Sequence, residues 1–301
     1  MLRVVILVAL VAACRAAQLD VVDTLRDLHN VTSLLSLLDQ AGLINTLKSG
    51  GPFTILAPTD AAFAKIPSAD LQALTGDSNM LQNALKYHVL NGMIYDFDLR
   101  TGEHIASING HQVRVYTSSQ GKYFFNQAEV VGTEIQASNG VIFLIDEVLN
   151  VPEGTILDIL KNPDYNLTQF ANLVHRVGYD RLFDSVASNG RYTLFVPSDA
   201  AFAALPASFV SRLATSITYA RYLTDYHTHV GTMHASSLAK DGHIVTKYRG
   251  HLIALTHDQD TGEALLNSVG HVTLADIEAE NGIVHVISHV LIPSTLAPIV
   301  G

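Results

Sequence analysis

The sequence predicts a mixed fold of helices and short strands, built twice in tandem. Three observations predict it. First, a fourteen-residue stretch occurs twice, as Thr54-Ile-Leu-Ala-Pro-Thr-Asp-Ala-Ala-Phe-Ala-Lys-Ile-Pro67 and as Thr193-Leu-Phe-Val-Pro-Ser-Asp-Ala-Ala-Phe-Ala-Ala-Leu-Pro206. Eight of the fourteen positions are identical. Second, two more blocks repeat in the same order. Tyr87-His88, ahead of Gly92, matches Tyr226-His227 ahead of Gly231, and Asn139-Gly140 through Leu149 matches Asn281-Gly282 through Leu291. The shift is 139 residues for the first two blocks and 142 for the third, so small insertions fall in loops and the repeating unit has the size of one domain. Third, apolar residues at helical spacing alternate along the chain with short runs of strand-like alternation.

The elements follow in order. Residues 19–28 have helical spacing, and so do residues 32–48, where Thr32 or Ser33 is expected to cap a leucine-rich run. Gly50-Gly51-Pro52 turns into a strand, Thr54 to Ala57, which Pro58 stops. Thr59 and Asp60 are both good N-caps for a short helix carrying Phe63, with Pro67 closing it. Phe63 and Phe202 are each the one large apolar side chain of that helix and are expected to be buried. Residues 77–90 read as a capped helix entering a strand at Tyr87-His88. Val113, Val115 and Thr117 share one face of a strand, Ser118 to Gly121 turns, and 122–130 returns. Asn139-Gly140 is a turn signal, and Val141 to Leu149 reads as a buried strand. In the second copy, helices are expected over 155–160, 168–177 and 216–226, and strands over 193–196, 243–246, 252–256, 264–267 and 283–291.

Composition bounds the rest. The chain has 301 residues, 48% hydrophobic and 15% charged, enough to bury two cores. Residues 1–17 have the form of a secretory signal peptide, with Arg3 at the start, Val4 to Ala13 as the apolar core and small residues at the cut. Val11-Ala-Ala-Cys14 also fits a bacterial lipoprotein box, which would make the protein a lipid-anchored surface adhesin. The expected layout is a leader at 1–17, domains at 18–152 and 153–294, and a tail at 295–301. The formal net charge is −10, and losing the leader leaves 16 basic against 28 acidic residues with no Lys/Arg run. That argues against nucleic acid as a partner. No stretch after the leader is apolar enough to span a bilayer. Cys14 is the only cysteine, so each domain is expected to hold together by packing rather than disulfides. Two N-glycosylation sequons, Asn30-Val-Thr32 and Asn166-Leu-Thr168, also pair between the copies and favour a eukaryotic secretory route.

The three ordered blocks, found twice, resemble the fasciclin domain family. There a Thr-x-x-Ala-Pro-Ser/Thr-Asn/Asp-x-Ala-Phe block, a Tyr-His pair and an Asn-Gly-Val-Ile-His-x-Ile-Asp-x-Val-Leu block mark one domain. The resemblance implies an α+β fold, each copy a small β-sandwich or wedge with helices grouped at one side. It implies a secreted adhesion or matrix protein that contacts integrin-type receptors or matrix proteins such as collagen. The family's Tyr-His contact falls on Tyr87 and His88, followed by aliphatic Val89 and Leu90, and on Tyr226 and His227, followed by Thr228 and His229. Its Asp-Ile contact falls on Asp276-Ile277, with Glu134-Ile135 in the first copy. Integrins reach a metal through a ligand carboxylate, so Asp276 is the better match. A structural alternative stands beside each: Tyr-His as a buried, hydrogen-bonded pin between helix and strand, and Asp276 as an ordinary exposed strand residue.

Histidine is the unusual residue. Fourteen are present, ten of them in the second copy. His227 and His229 at period two would share a strand face, with His234 nearby, and His285 and His289 lie four apart on the last strand. A small-molecule or metal carrier is the alternative this suggests, but no cysteine or paired carboxylate joins them, and no cofactor is expected. No Gly-x-Ser-x-Gly elbow, His-Glu-x-x-His or glycine-rich phosphate loop occurs, so the chain does not read as an enzyme.

Overall fold

The computed structural model describes residues 19–118, 121–185, 191–238, 242–258 and 263–296. The expected leader with Cys14, and the tail from 297 onward, lie outside these. The chain divides into two compact units, Met1–Val151 and Pro152–Gly301.

The first unit runs α1 (Val21–Asp27), α2 (Thr32–Gln40), α3 (Ile44–Ser49), β1 (Phe53–Pro58), α4 (Asp60–Phe63), α5 (Ser68–Gly76), α6 (Ser78–Tyr87) and β2 (Val89–Asn91). A 3-10 turn at Asp96–Asp98 precedes β3 (His104–Ala106), β4 (Gln112–Thr117), β5 (Tyr123–Phe125), β6 (Ala128–Glu129), β7 (Ile135–Ala137) and β8 (Gly140–Ile145). The leucine-rich run is two helices, not one, because Gly42 takes φ +69° and ends α2. Pro67 does not simply close α4; it stands at the start of α5, a helix the sequence reading missed. The last strand stops at Ile145, four residues short of the expected Leu149.

The strands form two sheets, β2-β1-β8-β7 with β1 parallel to β8, and β3-β4-β5-β6. Successive side chains of a strand point to opposite faces. Val141, Phe143 and Ile145 of β8 therefore join one core with Tyr87, Val113, Val115 and Phe125, between the sheets. Ile142 and Leu144 join the other, with the helices and Phe63. Both faces of β8 are covered, which is why its sequence is continuously apolar. The result is an α+β unit with helices on one side of the central sheet.

The second unit repeats the plan: α7 (Ile156–Lys161), α8 (Thr168–Arg176), α9 (Asp180–Asp184), β9 (Tyr192–Pro197), α10 (Asp199–Ala203), α11 (Ala207–Thr215), α12 (Ile217–Tyr226), β10 (Thr228–Val230), a 3-10 turn at Ala235–Leu238, β11 (Gly242–Val245), β12 (Leu252–His257), β13 (Ala264–Leu266), β14 (Gly270–Ala279) and β15 (Gly282–Ile287). Here the two sheets are one, in the order β10-β9-β15-β14-β13-β12-β11. The cause is β14. It runs unbroken for ten residues by absorbing two register shifts, around Leu274, with Asp276 at φ +55°. In the first unit Gly132, at φ +81°, interrupts the matching stretch and leaves β6 and β7 separate.

Phe63 and Phe202 are buried, as expected. The hydroxyls of Thr59 and Ser198 cap their own helices, accepting from the N–H of Ala62 and Ala201 at 3.2 and 3.3 Å. The aspartates beside them act at a distance. The Asp60 carboxylate accepts from the N–H of Ser33 at 2.7 Å, the N–H of Thr32 at 3.2 Å and the Thr32 hydroxyl at 2.9 Å. Asp60 thus caps α2 from across the fold. Neither Thr32 nor Ser33 is that cap; Val31 holds the N-cap position with no side-chain bond. Asp199 does the same for α8, accepting from the N–H of Gln169 at 2.8 Å. Partial burial would raise the Asp60 carboxyl, but the bonds from Ser33 and Thr32 outweigh it and hold it below the usual range. Replacing Asp60 with Ala is expected to cost about 1–2 kcal/mol, the upper part of the range for a lost cap. A urea midpoint unchanged by Asp60→Ala would refute the role.

The Asn-Gly signal is more than a turn. Asn139 Oδ1 accepts from the N–H of Val21 at 2.9 Å, and its Nδ2 donates to the carbonyls of Leu47 and Gly50 at 2.8 and 3.1 Å. One side chain ties α1 and the end of α3 to the start of β8. Asn281 repeats this with Ile156 N–H and Phe183 carbonyl, at 2.8 and 2.7 Å.

Candidate functional site

The three repeated blocks meet at one place in each unit, the segment that leaves the Tyr-His pair. Tyr87 ends α6, and His88 is its C-cap. The His88 ring lies in the interior, 3% exposed. Its Nδ1 lies 2.8 Å from the Ala84 carbonyl, and its Nε2 accepts the N–H of Leu149 at 2.9 Å. An acceptor at Nε2 puts the proton on Nδ1, so the ring is a neutral tautomer with both nitrogens used. His227 repeats the pattern between Leu223 and Leu291, at 2.9 and 3.0 Å. Burial drives both rings down to about 4, against the modest upward pull of the carbonyl. The tyrosines are equally enclosed. The Tyr87 hydroxyl donates to the Gln112 carbonyl at 3.0 Å and accepts from Asn126 Nδ2 at 2.8 Å. Tyr226 does so with Leu252 and Asn267, at 3.0 and 2.9 Å. Asn126 and Asn267 reach back from left-handed positions, φ +50° and +52°, a conformation asparagine tolerates.

The Tyr-His pair is therefore a buried pin between the helix and the chain beyond the last strand. All four of its side chains are buried. The period-two reading of the histidines also changes. His227 caps a helix, and of the pair only His229 lies in β10. His289 lies beyond β15, not on it. Among the described residues, no group of three or more His, Cys, Asp or Glu side chains is placed to hold a metal ion.

After β2 the chain crosses the end of the central sheet. The Thr54 hydroxyl donates to the Gly92 carbonyl at 2.8 Å and accepts the Ile94 N–H at 2.9 Å. Then the N–H of Asp96 donates to Glu134 Oε2 at 2.7 Å. In the second unit Thr193 holds Gly231 and Met233 at 2.9 and 2.8 Å, and the N–H of Ala235 donates to Asp276 Oδ1 at 2.9 Å. The first threonine of one block and the acid ahead of another thus fix the turn that follows the third. Asp276 keeps a partly exposed carboxylate (23%), already engaged in this bond, and Ile277 is buried. The shorter acid reaches because the strand bulges there.

The second unit adds buried polar chemistry beneath the turn. His285 Nε2 donates to the Met233 carbonyl at 2.8 Å, and its Nδ1 accepts the Asp276 N–H at 3.2 Å. His234 Nε2 and Glu278 Oε1 lie 2.6 Å apart, both buried. Burial holds His285 below its ordinary value, although the Asp276 carboxylate pulls the other way. The first unit has Phe143 where the second has His285, and Gln136 where it has Glu278.

What the turns present differs. In the first unit Phe97 stands 74% exposed at the middle of the 3-10 turn. Its ring stacks on Tyr95, centroids 5.3 Å apart and planes within 4°. Asp96 and Asp98 flank it, both exposed. Nothing in the sequence marked Phe97, because it lies outside every repeated block; Ser236 stands at its place in the second copy. The sequon residues Asn30 and Asn166 are exposed, each just ahead of the helix that Asp60 or Asp199 caps. No helix among the described residues is long and apolar enough to cross a membrane.

Comparisons with known proteins agree with this construction. The Fasciclin domain family matches residues 29–152 and 165–293. Transforming growth factor-beta-induced protein ig-h3 of Sus scrofa is 27% identical over 251 residues, 83% of this chain and 36% of its own length. Human periostin is 27% identical over 264 residues, 87% of this chain and 31% of its own. This chain thus spans about a third of the length of those curated relatives. Cell surface glycolipoprotein MPB83 of Mycobacterium bovis is 33% identical over 127 residues, 42% of this chain and 56% of its own. Among solved structures, a FAS1 domain pair from the insect cell adhesion molecule Fasciclin I matches with a TM-score of 0.40 and 18% identity, over 86% of this chain and 96% of that one. With its three blocks assembled twice around the same pin and turn, and its length matched twice by the family, this chain belongs to the fasciclin domain family and carries two copies of the domain.

Proposed function

We propose that the chain is a secreted adhesion or matrix-interaction protein that contacts cell-surface receptors of the integrin type, or matrix proteins such as collagen, through the turn after the Tyr-His pin. The observation that carries this is Phe97. A large apolar side chain, three-quarters exposed and stacked on Tyr95, sits between two carboxylates on a turn fixed by Thr54 and Glu134. Such a side chain, rigidly held and rimmed by charge, is the form of an interface anchor. Asp96 and Asp98 supply carboxylates of the kind that a metal-bearing receptor takes.

Tyr87, His88, Tyr226 and His227 serve this reading as the fixed floor of the surface, not as its contact atoms. Asp276 acts chiefly by holding the second turn, with Ile277 anchoring the strand beneath it. Attachment of cells to the immobilised full chain tests the reading. Phe97→Ser is expected to lower attachment several-fold at unchanged thermal stability, and Asp276→Ala to lower it less. Equal attachment to wild type and Phe97→Ser, or no attachment above an albumin control, would overturn it.

A further inference from the structure

The second unit carries a cleft of about 490 Å³ that the adhesive reading does not use. Its wall includes Asn166, the acceptor residue of the second sequon. The same lining includes Leu274, 45% exposed between the two register shifts of β14, with Thr273 and Val286. Tyr165 and Asp199 complete the lining used here.

The acceptor is held firmly. The Asn166 carbonyl accepts the N–H of Asp199 at 2.9 Å, and the residue sits in the left-handed region at φ +53°, leaving its side chain exposed. Tyr165 is pinned as well, its hydroxyl donating to the Glu153 carboxylate at 2.7 Å. The bulges turn Leu274 outward at this spot. In the first copy Gly132 stands at the place of Leu274, 142 positions earlier, so that copy has no apolar side chain at this position.

We propose that this cleft seats the first sugars of an N-linked glycan carried by Asn166. The step rests on the secretory reading, since the glycan is transferred in that route. Asn166 Nδ2 forms the bond to the anomeric carbon of the first sugar as that carbon's bond to a lipid-linked diphosphate donor breaks, the diphosphate leaving on its lipid and the amide giving up one N–H proton. The sugar's local concentration at the cleft is then set by one covalent link in the wall itself. The volume lies in the range of small-molecule sites, roughly 300–1,000 Å³, which suits a disaccharide. An N-acetylhexosamine ring has an apolar C–H face and a polar rim. Leu274, Val286 and the Tyr165 ring offer the apolar surface, while Asp199 and Thr273 offer oxygen atoms at the edge. The glycan would cover an exposed leucine and brace the bulged part of β14, two residues from Asp276.

The test uses the full chain secreted from a eukaryotic host, with occupancy read by peptide mass spectrometry. Thr168→Ala abolishes the sequon without altering Asn166 at its left-handed position, and Thr168 is exposed at the start of α8. The expected result is a glycan at Asn166, with amide exchange over Gly270–Ala279 several-fold slower in the wild type than in Thr168→Ala. Leu274→Ser is expected to shrink that difference. A glycan on Asn30 but none on Asn166 overturns the inference alone. Equal exchange rates with Asn166 occupied also overturn it. Modification of neither asparagine overturns both the inference and the secretory reading.

Discussion

Acidification from pH 7 to pH 4 is expected to remove on the order of 3 kcal/mol from each domain, because each has a core histidine that must stay neutral. His88 and His227 titrate near 6.5 in the unfolded chain and about 4 when folded. Between those values the unfolded state binds more protons than the folded one. Stability is therefore complete above the unfolded value, falls as the pH drops through the window, and levels off below about 4. The depressed carboxylates work in a different window. Asp60 and Asp158 add stability that is lost only as the pH falls below the ordinary carboxylate value of 3.8, so they do not mimic the histidine effect. The second domain should lose more than the first, since buried His285 is also held low, among His234, Asp276 and Glu278. Urea midpoints at half-unit pH steps, with exchange-resolved mass spectrometry to separate the domains, measure this. Midpoints that stay level from pH 6.5 to 4 would show that neither ring is buried as a neutral group.

Adding one methyl group at Gly140 or Gly282 should be as damaging. At Gly140 a Cβ would lie 2.5 Å from the Phe53 carbonyl oxygen and 2.6 Å from Val21 Cγ1. At Gly282 it would run into the Tyr192 carbonyl oxygen and lie 2.7 Å from Ile156 Cδ1. The obstacles are a backbone atom of the neighbouring strand and a core side chain of the first helix, and neither can swing aside. Overpacking typically costs about 1–3 kcal/mol, and these sites belong at the upper end because a backbone atom is the obstacle. Gly178 is the control. Its φ of +76° makes alanine strained there, but nothing stands within 4 Å, so only the left-handed cost of about 1–2 kcal/mol applies. Thermal melts of Gly140→Ala, Gly282→Ala and Gly178→Ala rank the three. If Gly140→Ala melts no lower than Gly178→Ala, the close approach of α1, β1 and β8 is wrong.

The Asn-Gly dipeptide shows how sequence and structure divide the information. As a local signal it reads as a turn, and the turn is there. That the asparagine also binds α1, 118 residues earlier, and that the glycine admits the neighbouring backbone, cannot be read locally. Asp60 is similar. Its chemistry as a cap is plain from residue type, but the helix it caps is not its own. The site was less legible still. The repeated Tyr-His pair stands out in the sequence because repetition reports what both copies need, and both need the buried pin. Phe97 went unmarked because it lies outside every repeated block and its exposure follows no periodicity.

By itself the sequence determined the duplication, the strand and helix types, the burial of Phe63 and Phe202, and the presence of a family domain in each half. The element types and the burial follow from local propensity and from the alternation of apolar residues, which act over a few neighbours, whereas the duplication and the family domain follow from the three ordered blocks that occur twice. Tertiary structure alone decided that Asp60 and Asn139 reach across the fold, that β14 bulges at Asp276, and that Phe97 rather than the Tyr-His pair meets solvent. Each of these depends on the closure of segments far apart in the chain, where a side chain's partner is set by packing and not by its neighbours in sequence.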